Sequence, residues 1–198
     1  MKCKCLDAAG YELAILGAML SKGKVNYWIL EDVEGVDKEL KDRADKLAEK
    51  LSGADGGHNK FLEQIQYWLV IDAPLYWWKQ FDTYRIGVSK SSESTMFKMW
   101  KGGLTQEDFE HPVYEETLER LNKSIKEYNE TNEEALFTEI ISNLPDSFLQ
   151  TRLININAKS LRNVYMQRRH HKLKEWRDFC EFIKTLPQGG LITNESCM

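Results

Sequence analysis

The chain has 198 residues, of which 42% are hydrophobic, 11% aromatic and 29% charged, with a formal net charge of −4. That is enough apolar material for a single globular domain over 1–198 and too much for a disordered chain. No run approaches the ~20 apolar residues that cross a bilayer, and the acidic balance argues against a general nucleic-acid binder, which needs a phosphate-neutralising surface.

In chain order, Leu13–Leu20 is apolar and follows Lys2 and Lys4, the outline of a signal peptide. Glu12 and Gly17 interrupt it, and Ser21-Lys22-Gly23-Lys24 is no small-residue cleavage site. It therefore reads as the first buried helix of an intracellular, cytoplasmic protein. Leu40, Ala44, Leu47, Ala48 and Leu51 form one helical stripe, ended by Ser52-Gly53 and Gly56-Gly57. Aromatic and β-branched residues crowd Gln66–Ile71, which predicts a strand. Asp72-Ala73-Pro74 then predicts a helix start, with proline in the first turn and Leu75–Phe81 as the helix.

Further on, Tyr114, Leu118, Leu121, Ile125 and Tyr128 recur at helical spacing. Leu136, Ile140 and Leu144 mark a second helix, closed by Pro145. Arg152–Asn157 predicts a strand with Ile154 and Ile156 on one face, and Ala158–Arg168 a helix with Leu161, Val164 and Tyr165 inward. Leu173, Trp176, Cys180 and Ile183 mark the last helix, ended by Pro187 and Gly189-Gly190. Many helices with a few strands far apart in sequence predict an α/β or α+β domain.

Three local features bear on chemistry. From Lys159 to Arg177 there are seven Lys or Arg residues, with His170 and His171, against one acid, Glu175. Arg168 lies three residues after Tyr165, close to the buried stripe, where a guanidinium requires an anion or carbonyl partner. The segment is either a solvated basic face or a phosphate pocket, and arginine's bidentate geometry suits the latter. Second, QFDTYRIGVSKSSES over Gln80–Ser94 joins hydroxyls, glycine and Arg85 in what reads as a loop, the components of an anion cradle or of a plain solvated turn. Third, His58 follows a glycine pair.

The aromatics of Leu75–Trp78 read as core rather than as a base-stacking platform. Cys3-x-Cys5 is tighter than zinc-knuckle spacing, and Cys180 and Cys197 lie at the far end, so all four read as reduced thiols without a metal role. His170 and His171 cannot share a helical face as ligands, so no metal site is predicted.

Taken in order, His58…Leu62-Glu63, Gln80…Arg85, Ser94, Leu144-Pro145 and Asn157…Arg168 resemble the layout of flavin-dependent thymidylate synthases, over roughly residues 10–185. That family carries a His…Leu-Glu segment, a Gln before an Arg-His-Arg triplet, and a Ser within Glu-x-Ser-x-Arg-Tyr. A Leu-Pro and an Asn-rich helix with a nucleotide-binding Arg follow. The resemblance implies a few-stranded sheet flanked by long helices, and reductive methylation of dUMP or a related pyrimidine deoxynucleotide.

The cofactors it implies are FAD, NADPH and methylenetetrahydrofolate, and the assembly a homotetramer with shared sites. It implies that His58, Glu63, Asn157, Lys159 and Asn163 lie at the flavin and folate. Gln80, Arg85 and Ser94 line the nucleotide pocket, and Arg168, with Ser94 a catalytic candidate, holds the uracil ring. Membrane and nucleic-acid partners are not implied.

The chain departs from that pattern in three places. Arg-His-Arg is Thr83-Tyr84-Arg85, the second motif is Ser92-Glu93-Ser94-Thr95-Met96-Phe97, and an Arg before Leu-Pro is Ile141. Since charge-assisted hydrogen bonds contribute ~1.5–3 kcal/mol each, these losses motivate an alternative, a non-catalytic homologue acting as a nucleotide-binding or protein-interaction module. A third reading, a structural or DNA-binding helper using the Lys159–Arg177 face, predicts strongly salt-dependent DNA affinity.

Overall fold

The computed structural model describes residues 1–20, 38–54, 57–95 and 102–194; Gly56, Met96, Phe97, Cys197 and Ser21–Lys24 lie outside them. Its frame is a four-stranded sheet in the order β1-β2-β4-β3, with β1 Lys2–Ala9, β2 Gln66–Pro74, β3 Val88–Ser92 and β4 Leu149–Asn157. Two pairings are antiparallel. The Ala158 N–H donates to Ile65 and that of Leu75 to Phe148 at opposite ends of β2 and β4, while Asn157 bonds Gly87 and Glu93 bonds Thr151 along β3 and β4.

The helices are α1 Tyr11–Met19, α2 Lys38–Ser52, α3 Leu75–Phe81, α4 Glu115–Thr131, α5 Glu134–Asn143, α6 Ala158–Arg168, α7 Lys174–Lys184 and α8 Gly189–Thr193. The chain's mixed α/β character and its few-stranded sheet are as the sequence predicts.

Two compact units share the strands. One comprises Met1–Cys3, Val70–Thr83 and Lys90–Leu153. In it Leu118, Leu121 and Ile125 of α4 pack with Ile140 of α5, Phe109 and Phe148, and Trp77, Trp78 and Phe81 are fully buried core. The Trp78 indole N–H donates to the Gln150 carbonyl at 2.8 Å, which removes the cost of burying it.

The other unit comprises Lys4–Leu69, Tyr84–Ser89 and Ile154–Met198. Ile154 and Ile156 are fully buried on one face of β4, as are Leu161 and Val164 of α6 and Trp176, Phe179 and Ile183 of α7.

Several elements differ from the sequence reading. β2 runs on through Asp72-Ala73-Pro74, because the period-2 burial of Tyr67, Leu69 and Ile71 continues to Ala73. Thr151 of β4 donates to Asp72 at 3.3 Å. Pro74 is consequently the cap of α3, with φ −69°, and not a residue of its first turn. The Ser-rich segment after Arg85 is the edge strand β3 and not a loop, its hydrogen-bonding groups committed partly to β4. β1 and α8 have no counterpart in the sequence reading. Of the α2 stripe, Ala44 and Ala48 are buried, whereas Leu47 and Leu51 are only half-buried. Cys3, Cys5 and Cys180 are in no disulfide, and burial pushes the Cys180 thiol up to about 12.

Candidate functional site

The site is built on the two ends of α6. At its start, Asn157 has extended backbone and its side-chain oxygen accepts the Ser160 N–H at 2.8 Å, a helix cap. The segment Tyr84–Ser89 is docked on this end. The Asn157 N–H donates to the Gly87 carbonyl at 3.1 Å and the Ser160 hydroxyl donates to that of Ile86 at 2.6 Å. Gly87 has φ +65°, and a Cβ there falls 2.0 Å from Asn157 Nδ2, so only glycine fits.

At the other end the same segment meets Arg168. The Tyr84 hydroxyl accepts from Arg168 Nε at 2.8 Å and donates to Gln167 Oε1 at 2.9 Å. The guanidinium carbon lies 4.6 Å from the Trp176 ring centroid and 5.7 Å from that of Tyr84, within cation–π range of both. Tyr84 is buried, and its ring meets Trp176 edge-on at 6.1 Å. Gln167 Nε2 donates to Asn163 Oδ1 at 2.9 Å. Asn163 and Arg168 are thus joined through Gln167 and Tyr84.

His171 caps this cluster: its Nδ1 accepts the Leu173 N–H at 3.1 Å, and its ring lies 6.2 Å from Trp176. Burial, then the charges of Arg168, Arg177 and Lys172, hold His171 below its usual pKa of 6.5. A depressed histidine stabilises the fold above 6.5, and that contribution is lost as pH falls through the folded value. The wild type is therefore expected to lose more stability between pH 7 and pH 5 (the approximate span of histidine titration) than His171→Asn, as read by urea melts at several pH values. Equal losses in the two proteins would refute this assignment.

His58 stands at a second locus. It lines a cavity of about 800 Å3 with Lys50, Lys60, Leu47, Leu51 and Phe61, which explains why the two leucines are not packed away. The next residue, buried Asn59, accepts from Lys159 Nζ and donates to the Ser52 carbonyl at 3.3 Å. Lys159 is thereby tied to the His58 segment.

The remaining sequence candidates stand as follows. Glu63 is exposed on the turn after His58. Arg85 is exposed beside Tyr84, and the group that meets Arg168 is the Tyr84 phenol. Gln80 and Ser94 belong to the other unit. Gln80 is half-buried, its carbonyl accepting from the Thr83 hydroxyl at 2.7 Å, and Ser94 is exposed beyond β3. Lys90, from the Ser-rich segment, donates to Asp82 at 2.6 Å, as Arg152 does at 3.1 Å while lying 4.3 Å from the Trp78 ring. Burial raises the Asp82 pKa, but the Lys90 hydrogen bond and Arg152 outweigh it and hold the carboxyl below its usual value. Among the described residues no group of three or more His, Cys, Asp or Glu is placed to hold a metal.

The model of the family described as thymidylate synthase complementing protein matches residues 16–187. A structure of the flavin-dependent thymidylate synthase ThyX from Helicobacter pylori, complexed with FAD and dUMP, matches with a TM-score of 0.74 at 19% identity, covering 100% of both chains. A second structure of that protein, also with FAD and dUMP, gives 0.73 at 19% identity over 100% of this chain and 99% of its own. The UMP/dUMP methylase PolB from Streptomyces cacaoi, bound with 5-Br UMP, gives 0.55 at 14% identity over 93% of this chain and 87% of its own. No curated protein sequence matches significantly. With a family model spanning most of the chain and its fold matched from end to end, this protein belongs to the thymidylate synthase complementing protein family.

Proposed function

We propose that the protein is a flavin-dependent thymidylate synthase-like enzyme that binds dUMP or a closely related pyrimidine nucleotide and methylates it reductively at C5. The observation that carries the reading is Arg168. It is half-buried at the end of α6, held by the Tyr84 phenol and faced by the Trp176 ring, and the sequence resemblance matches it to the family's uracil-binding arginine. A fixed cation at a uracil carbonyl stabilises the negative charge that collects there as the ring is made nucleophilic at C5, without reorganisation at that moment. Arg85, Gln80 and Ser94 are the groups proposed to hold the rest of the nucleotide.

The chain suits a flavin. The cavity at His58 has apolar walls from Leu47, Leu51 and Phe61 for a planar ring system, and Lys50 and Lys60 for phosphates. Its volume lies in the upper part of the ~300–1,000 Å3 range of cofactor pockets. His58, Glu63, Asn157, Lys159 and Asn163 are the proposed flavin-side residues, with the Lys159–Asn59 contact pinning one wall. Bound there and reduced by NADPH, the flavin supplies the reducing equivalents, with methylenetetrahydrofolate as the one-carbon donor. The protein's own part is to position and polarise, and no cysteine is needed as a nucleophile.

The same proposal includes a cytoplasmic setting and a homotetramer. Leu13, 62% exposed on α1, supports the assembly.

The purified protein should carry flavin absorbance or bind FAD on titration, dUMP should raise its melting temperature, and light scattering should read four chains. Absence of both flavin binding and a dUMP shift would remove the proposal. The second reading, a non-catalytic homologue, is favoured by Thr83-Tyr84 and Met96 standing where the family's motifs carry other polar groups. It predicts nucleotide or partner binding indifferent to flavin and folate.

A further inference from the structure

We infer that Tyr84 is a positioning residue, whose hydroxyl sets the orientation in which Arg168 meets the nucleotide; the inference rests on the function proposed above. The polarity of the hydrogen bonds fixes the argument. Gln167 gives its amide N–H to Asn163 Oδ1 and so turns its carbonyl oxygen toward Tyr84. That oxygen takes the phenol's one proton, which leaves the phenol oxygen as the acceptor that Arg168 Nε requires. Each bond in the run Asn163–Gln167–Tyr84–Arg168 thus dictates the direction of the next.

The two rings supply the remaining constraint. A guanidinium is planar, and with Nε held by the phenol and its carbon 4.6 Å from the Trp176 centroid, two separate contacts restrict its orientation. Tyr84 itself cannot drift, since its ring is buried against Trp176 and its neighbours Ile86 and Gly87 are bonded to the first turn of α6. The residue that counts in sequence as a lost polar group therefore performs a polar task, at a distance of 84 positions along the chain from its partner.

Tyr84→Phe keeps the ring and removes only the hydroxyl. Three readings on wild type, Tyr84→Phe and Arg168→Lys decide the matter. First, the Nε–H resonance of Arg168, identified by its loss in Arg168→Lys, should exchange slowly with solvent in the wild type and fast in Tyr84→Phe. Second, dUMP affinity should fall roughly tenfold in Tyr84→Phe, the scale of one hydrogen bond to a charged group. Third, FAD affinity should stay within about twofold, which a general loss of structure would not allow. Unchanged Nε–H exchange overturns the inference, and so does a parallel loss of dUMP and FAD affinity. A wild type with a protected Nε–H that binds no dUMP overturns instead the nucleotide reading, leaving the phenol's hold on Arg168 intact.

Discussion

Gly87→Ala is expected to destabilise the protein by about 3 kcal/mol and to abolish nucleotide binding under conditions where the wild type binds. Three costs add. At φ +65° an L-residue with a Cβ is strained by roughly 1–2 kcal/mol. That Cβ would also stand 2.0 Å from Asn157 Nδ2 and 3.1 Å from the Ser160 hydroxyl, so Asn157 must move. Asn157 caps α6, and a lost cap costs ~1 kcal/mol. Relief by moving the loop instead breaks the Asn157–Gly87 and Ser160–Ile86 bonds and carries Tyr84 away from Arg168. In a chain of this size the melting temperature should fall by about 6–12 °C. A variant that melts within about 2 °C of the wild type would show that the docking of this loop on α6 is wrong.

Arg168→Ala is expected to weaken dUMP binding about 10- to 100-fold, from the loss of charge-assisted contacts worth ~1.5–3 kcal/mol, while the protein stays folded. The side chain is only half-buried, and after its removal the Tyr84 hydroxyl still donates to Gln167, so no buried donor is orphaned. The cation–π contact with Trp176 contributes ~0.5–1 kcal/mol at a site of this exposure, which keeps the melting change small. Arg168→Lys should recover little affinity. A lysine has charge but neither the Nε–H that Tyr84 accepts nor the guanidinium carbon that lies over the Trp176 ring. Equal dUMP titrations for wild type and Arg168→Ala would remove Arg168 from the nucleotide site.

The sequence was most informative where one local pattern and its burial coincide. α6 is the clearest case: Asn157 is a good cap, Ala158–Arg168 has an apolar stripe, and Ile154 and Ile156 just before it alternate, so strand, cap and helix all read locally. β1 is the opposite case. Lys2–Ala9 has little β preference and is an edge strand whose one neighbour is β2, so its pairing is a tertiary fact.

The same distinction runs through the site. Lys90 lies in the segment that reads as an anion cradle or a solvated turn, yet Asp82 holds it, and spacing cannot report which acid a lysine finds once β3 pairs with β4. Leu47 and Leu51 satisfy the helical stripe but face a cavity, because periodicity gives a direction and not what lies there. Tyr84 is the sharpest instance. Its place in the motif records a departure from the family, whereas its contact with Arg168 exists only in the folded chain.

Methylation of a uracil ring at C5 must release the proton held there. The most direct measurement is the release of tritium to water from 5-tritiated dUMP, with purified protein, FAD, NADPH and methylenetetrahydrofolate. Release that requires flavin and disappears in Arg168→Ala is the predicted result. Tight dUMP binding with no tritium release under any combination of these components would contradict it and leave the non-catalytic homologue as the reading that stands.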